Sequence, residues 1–490
     1  MILDQVTLAR AGRLAIVAVA AAALCACSSN PIGGLFGGGD EGGEETAASD
    51  DEDKKERKLT RKEREAKEKA ERISILALEE TIEADPRLAG TLVEVPPSYR
   101  NASWPQPGGE ADHTLHHLSA EGTLERAWRI DIKAEAGRRA RLTSPPVVAD
   151  GRVFVIDTAA RVSAFDIESG ERIWRTELTP EIEEKFRLRE ILGGPKAAHV
   201  GFGGGVAYDG GRVFISSGFG FVAALEAENG EELWRYATEA PVRTAPTAHR
   251  GAVYVVTNTN ELLAINQSSG EKVWGFRSYE EAARIISSTS PAAAGDLLVA
   301  PFSSGELVAF LSESGRSVWN DTLARSTRLN ALSTLNDIAG APVIDRGLVY
   351  VVSHAGRLAA IDIRSGDRVW EAPIASLQMP WVAGDYIYVV SVDAELVCVQ
   401  RESGAIVWVE QLQRYRNDKK RKGRIAWAGP VLAGGRLVLV SSDGELILAA
   451  PESGAVLEEK KLSEGSVIPP VVAEEKIFVL TEAGKLYAFN

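Results

Sequence analysis

The chain has 490 residues, enough for two to four ordinary domains or one large repeat architecture. Its 55 lysines and arginines face 69 aspartates and glutamates, and the net charge of −14 argues against general affinity for nucleic acid. Cys25, Cys27 and Cys398 are the only cysteines, so neither a disulfide framework nor a cysteine-rich metal site can be built, and with six histidines a multi-histidine centre is not expected.

Arg10 and Arg13 precede an apolar run from Leu14 to about Ala26. That run is shorter than the ~20 residues that span a bilayer and has the length of a signal-peptide core. "LCAC" (24–27) resembles a bacterial lipobox, which implies cleavage of residues 1–26 and acylation of Cys27. Ser28 follows Cys27 in place of the aspartate of inner-membrane retention. The expected location is therefore the outer membrane, lipid-anchored and facing the periplasm. Residues 27–53 are glycine-rich and acidic and bury too little apolar surface to fold, so they read as a tether. Residues 54–85 interleave charges with good helix formers and read as a solvated helical segment. The stretch "ISILAL" (73–78) fits either a helix end or a short strand. Residues 86–120 form a proline-rich approach segment.

From residue 121 to 490 the chain repeats itself. "IESGERIW" (167–174) returns as "AENGEELW", "QSSGEKVW", "SESGRSVW", "IRSGDRVW" and "RESGAIVW". Each phrase ends a longer unit of four short apolar runs separated by turn residues. In the first unit Val153, Val155 and Asp157 alternate with Phe154 and Ile156, the period of a strand. "SG" before the fourth run suits a hairpin with glycine at positive φ. Each unit is expected to be a four-stranded antiparallel meander, repeated every ~40–60 residues as in a β-propeller. There are eight central hairpins, but the last lacks a fourth strand. The orphan "ERAWRIDI" (125–132), with Trp128 in the phrase position, is expected to supply it and close an all-β, eight-bladed ring. Trp128, Trp174, Trp234, Trp274, Trp319, Trp370 and Trp408 are read as blade-packing residues. Glu458 replaces the tryptophan in the seventh unit, so one contact between blades must be made differently.

Chemical motifs are sparse. "GFGFVA" (218–223) fits the dinucleotide fingerprint but falls in a β-turn and strand, where the required helix is missing. His113, His116 and His117 read as surface polarity without matching metal ligands. Cys398 replaces an aliphatic residue in a central strand and reads as a small buried hydrophobe. No catalytic residue, metal site or cofactor is assigned. The connectors at about 179–204, 275–290, 320–340 and 409–428 are long and are expected on one face of the ring, a good place for partners. The basic loop "RYRNDKKRKGR" (414–424) reads as a solvated loop, with lipid headgroups or an acidic partner as alternatives.

"AFDIESGERIW" resembles the repeat of pyrroloquinoline-quinone-dependent dehydrogenases, which are also eight-bladed. Those enzymes carry adjacent cysteines bridged over the quinone, with calcium ligands nearby, and this chain has no Cys-Cys pair. The sequence resembles more closely the BamB family, the propeller lipoproteins of the outer-membrane β-barrel assembly (BAM) machinery. The residues that carry this resemblance are the lipobox, "SWPQPGGEADHTLHHL" (103–118), "SGELVAF" (304–310) and 335–370. It implies a non-enzymatic scaffold whose partners are the periplasmic domains of BamA, other BAM subunits and nascent outer-membrane proteins. The family's Leu-x-Leu-Arg contact stretch falls near Ala283–Ile286; Ile285 takes the second leucine, Ile286 the arginine position, and Arg284 stands two residues early. Asp337 matches the first residue of the family's acidic pair, and Ala339 takes the second position. Arg284, Ile285, Ile286 and Asp337 are therefore expected on the BamA-facing surface. A quinone-dependent periplasmic dehydrogenase and a propeller that senses a small ligand in its central channel are the alternatives.

Overall fold

Eight four-stranded antiparallel sheets follow one another along the chain. The computed structural model describes residues 82–121, 124–132, 142–180, 201, 203–280, 289–323 and 337–490. The tether, most of the charged segment 54–85 and Cys27 lie outside the described residues. In the first blade the strands are Val147–Ala149, Arg152–Ile156, Arg161–Asp166 and Arg172–Glu177, from the channel outward. The later blades repeat this plan as far as the seventh, which ends with Val456–Lys461. The eighth consists of Val471–Ala473, Lys476–Leu480, Lys485–Phe489 and, from the other end of the fold, Arg126–Asp131. The ring closes as the repeat pattern requires, with Trp128 opposite Ala488.

Middle strands are buried on both faces because each sheet is covered by a neighbour on either side. Alternate residues therefore enter different cores. Val153 and Val155 join the cluster shared with the eighth blade, while Phe154 and Ile156 join the one shared with the second.

The repeated phrase is a latch between blades. The Trp174 indole N–H donates to the Ala227 carbonyl of the next blade at 3.0 Å, and Trp370 donates to Arg401 at 2.8 Å. Trp128, Trp234, Trp274, Trp319 and Trp408 do the same, each to the next blade. The glycine of the next blade's turn lies flat against the same indole. A Cβ on Gly170, Gly230, Gly270, Gly315, Gly366, Gly404 or Gly454 would come under 3.0 Å from the ring. All seven glycines also have positive φ. Across the sheet each tryptophan faces a small residue, alanine in six blades and Cys398 opposite Trp408. That accounts for Cys398, which is buried with its thiol pKa pushed up by desolvation.

Glu458 occupies the tryptophan position of the seventh blade, opposite Leu448. Its neighbour, the split eighth blade, takes its outer strand from Arg126–Asp131 and has no glycine turn to receive an indole. Lys460 works there instead: its ammonium meets the Leu124 carbonyl and lies 5.3 Å from the centre of the Phe489 ring.

The residue before each phrase position is a β-bulge, so every outer strand is kinked. In the first blade Ala164 pairs with Trp174 and Phe165 with Arg172, leaving Ile173 unpaired. Ile173, Val273, Val369 and Leu457 are 47–59% exposed. Such bulges blunt an edge against further strand pairing. Val407 is the exception, 8% exposed in the cluster that contains Val93 and Leu88.

The inner edges are satisfied by the approach segment. Asn101 bonds with Val472 and Glu474 of the eighth blade, and Trp104 exchanges two backbone bonds with Val148 of the first. Pro105 accepts from Tyr208, and the Gln106 side chain bonds both the N–H and the carbonyl of Ala248. Ala111 accepts from Ala293 and Asp112 from Ile344; His116 accepts from the Trp381 indole, and Leu118 donates to Leu432. Residues 101–118 thus make one circuit of the inner strands, visiting the blades in ring order. Inner-strand groups that would lack partners inside the ring are paired in this way.

Candidate functional site

In each blade the connector to the next begins beside the turn between strands two and three. Leu178 N–H donates to Ala160, Thr238 to Gly220, Leu323 to Gly305 and Leu412 to Ala394. Connectors and these turns therefore share one face, as expected. A cavity of about 290 Å³ lies on the channel axis. Its walls include Leu377, Met379, Ile425 and Trp427, with Trp104 of the approach segment stacked on Trp381 at 6.1 Å and 17°.

The polar side chains of the described lining are Thr143, Thr289, Ser290, Gln378 and Ser391; none is ionisable. A quinone held with calcium needs several oxygen ligands, carboxylates above all. The described residues around this cavity do not fit such a group. Nor do any three histidines, cysteines or acids among the described residues gather closely enough to hold a metal.

Arg284, Ile285 and Ile286 lie outside the described residues. Asp337 is described, and it does not face solvent: it is 1% exposed, and its Oδ1 accepts from Arg243 Nη1 at 2.8 Å. Arg243, 3% exposed, also reaches the Pro301 carbonyl at 3.3 Å. The pair ties the connector into the third blade to the connector into the fifth, across the fourth. Burial of both charges is tolerated because each is paired and hydrogen-bonded. The sequence carries one signal for Arg243, a lone cation in the apolar lead-in "APVRTAP" (240–246).

The histidine trio also differs from the expected surface polarity. His113 and His117 are buried. His113 Nδ1 lies 2.6 Å from the Pro342 carbonyl, its Nε2 3.2 Å from Ser290 Oγ, and burial holds its pKa down at about 4. His117 bridges the Pro96 carbonyl and the Gly435 N–H. His116 stands apart, 3.8 Å from Asp345. These rings fasten the approach segment to the propeller. "GFGFVA" falls in a turn and the strand Phe221–Glu226, as its place in the repeat requires.

The model of the family "Outer membrane protein assembly factor BamB" matches residues 111–192, 159–410 and 413–490. The chain belongs to the BamB family. The BamB of Yersinia pestis is 27% identical over 339 residues, 69% of this chain and 82% of that protein. The crystal structure of Moraxella catarrhalis BamB superposes with a TM-score of 0.56 at 18% identity, covering 75% of this chain and 98% of that one. A europium-containing methanol dehydrogenase reaches 0.60 at 15% identity, covering 79% and 89%. At these identities the structural likeness shows the propeller alone. BamB and a methanol dehydrogenase therefore share one architecture with this chain.

Proposed function

We propose that this protein is a non-enzymatic scaffold of outer-membrane protein assembly, anchored through Cys27, that docks its connector face on the periplasmic domains of BamA. The observation that carries this reading is the BamB family match across the propeller. The described lining of the cavity is mostly apolar, with hydroxyls and one amide as its polar side chains and no carboxylate or ammonium. In this reading Arg284, Ile285 and Ile286 contribute directly to the contact. Asp337 acts beneath it, held by Arg243 so that the connector into the fifth blade leaves the ring at a fixed point. The bulged outer strands disfavour simple edge pairing with client chains, which leaves the connector face as the better surface.

The test is recovery of BamA with the full chain. Combining Arg284→Glu with Ile285→Ala should lower co-purification while leaving thermal unfolding unchanged. Undiminished recovery with a folded double variant would remove the connector at 275–290 from the contact.

A further inference from the structure

The loop at 414–424 is an ordered hairpin. Tyr415–Asn417 pairs with Lys422–Arg424, and a single 3-10 turn, Asp418–Lys420, joins them. The Asn417 side chain caps that turn by accepting from the Lys420 N–H, and Arg421 takes the left-handed conformation. Three arginines fix the base to neighbouring turns. Arg414 and Arg424 both engage Asp393 of the sixth blade, and Arg416 Nε lies 2.6 Å from Asp443 of the seventh. Trp427 Nε1 donates to the Gln413 carbonyl just below. The hairpin is therefore braced against two blades and projects from the connector face.

Its tip is different. Lys419, Lys420, Arg421 and Lys422 are consecutive, exposed and outside every ion pair among the described residues except for proximity to Asp418 in the same turn. A protein carrying a net charge of −14 thus displays, among the described residues, a braced cationic point. The tip has no exposed apolar or aromatic side chain. A protein partner would need a desolvated anchor of that kind. A charged lipid surface needs only the charges, delivered together and held outward. The described fold begins at the same blade but at the opposite end of its outer strand, where the Asp85 N–H donates to Ile406, so the tip and the entry of the chain stand apart.

We propose that the hairpin tip docks on anionic phospholipid headgroups and so sets how the ring stands against a membrane. The contact is electrostatic and peripheral, with no insertion. Each cation near such a surface contributes roughly fivefold in partitioning. It is independent of the contact with BamA.

The experiment is co-sedimentation of the full chain, carrying Cys27→Ala so that no acyl chain is attached. Vesicles of phosphatidylglycerol and phosphatidylethanolamine are compared with vesicles of phosphatidylcholine. The expected result is an excess on the anionic vesicles that falls steeply with salt. Lys419→Gln, Lys420→Gln and Lys422→Gln together should cut that excess about 100-fold, with unfolding unchanged because none of the three side chains supports the hairpin. Equal partitioning on both vesicles would overturn the proposal. So would an anionic excess that survives the triple substitution, which would move the site to the basic residues at 54–72. Capture of an acidic protein without vesicle binding would assign the tip to a protein partner instead.

Discussion

Arg243 and Asp337 form a buried ion pair that joins two connectors across an intervening blade, with Nη1 and Oδ1 2.8 Å apart. Removing one partner strands a charge in the interior. Asp337→Ala is expected to cost about 3–5 kcal/mol, because the guanidinium loses its compensation. Arg243→Leu combined with Asp337→Leu should recover most of that loss, since apolar groups of similar volume need no partner. Urea unfolding followed by circular dichroism measures both. A double variant no better than the single would show that the pair's value lies in shape.

The glycine–tryptophan latch separates two penalties that are usually mixed. Gly404 has φ +73°, and a Cβ there would lie 2.6 Å from Trp370 Cδ2. Gly347 has φ +80° with nothing within 4 Å of the same construction. Gly347→Ala should therefore cost only the left-handed backbone penalty, about 1–2 kcal/mol. Gly404→Ala should add overpacking of about 1–3 kcal/mol. Equal shifts in the denaturation midpoint would mean that neighbouring blades separate freely.

Trp370→Ala should destabilise by about 3–5 kcal/mol, through lost packing and the lost bond to Arg401. Glu458→Trp restores the repeat pattern on paper but should leave stability within about 1 kcal/mol of the parent, since the eighth blade offers no glycine turn. A clear gain in melting temperature would contradict this account of the substitution.

His113 gives the fold an acid-sensitive point. Its ordinary pKa of 6.5 falls to about 4 in the folded protein because the ring is buried. As pH drops, the unfolded chain takes up the proton first. The stability is fully present above about 6.5 and is lost as pH falls through about 4, roughly 3 kcal/mol in all. His113→Asn, which tolerates the positive φ of this position, should flatten that part of the pH profile. Unfolding at several pH values between 4 and 7 reads the difference.

The ring was legible because its determinants are local and repeated. A glycine four residues before a tryptophan marks a turn and a packing site in one phrase, and Trp128 announced the closing strand by the same signal. Glu458 was visible as an exception, but its reason required knowing which blade is split. Burial of Asp337 could not be read because its partner stands far away in sequence and no spacing rule links them. The histidines misled for a related reason: polar spacing in a proline-rich segment suggests solvent, whereas the segment's circuit of the inner strands places His113 and His117 against backbone carbonyls. The hairpin base was hidden in the same way, since Asp393 and Asp443 belong to other turns.

The split blade also bears on how the molecule is made. Arg126–Asp131 emerges from any synthesising or translocating machinery long before Lys485–Phe489, its partner strand. Joining them closes a loop whose entropy cost is about 5 kcal/mol, repaid only when the eighth sheet forms. Seven blades can assemble behind the advancing chain, but the circle stays open until the final strand arrives. A chain released early would keep Trp128 and Phe478 without the strand that lies between them in the finished sheet, exposing apolar surface that marks it as incomplete. The seam thus ties completion of the ring to the arrival of Lys485–Phe489.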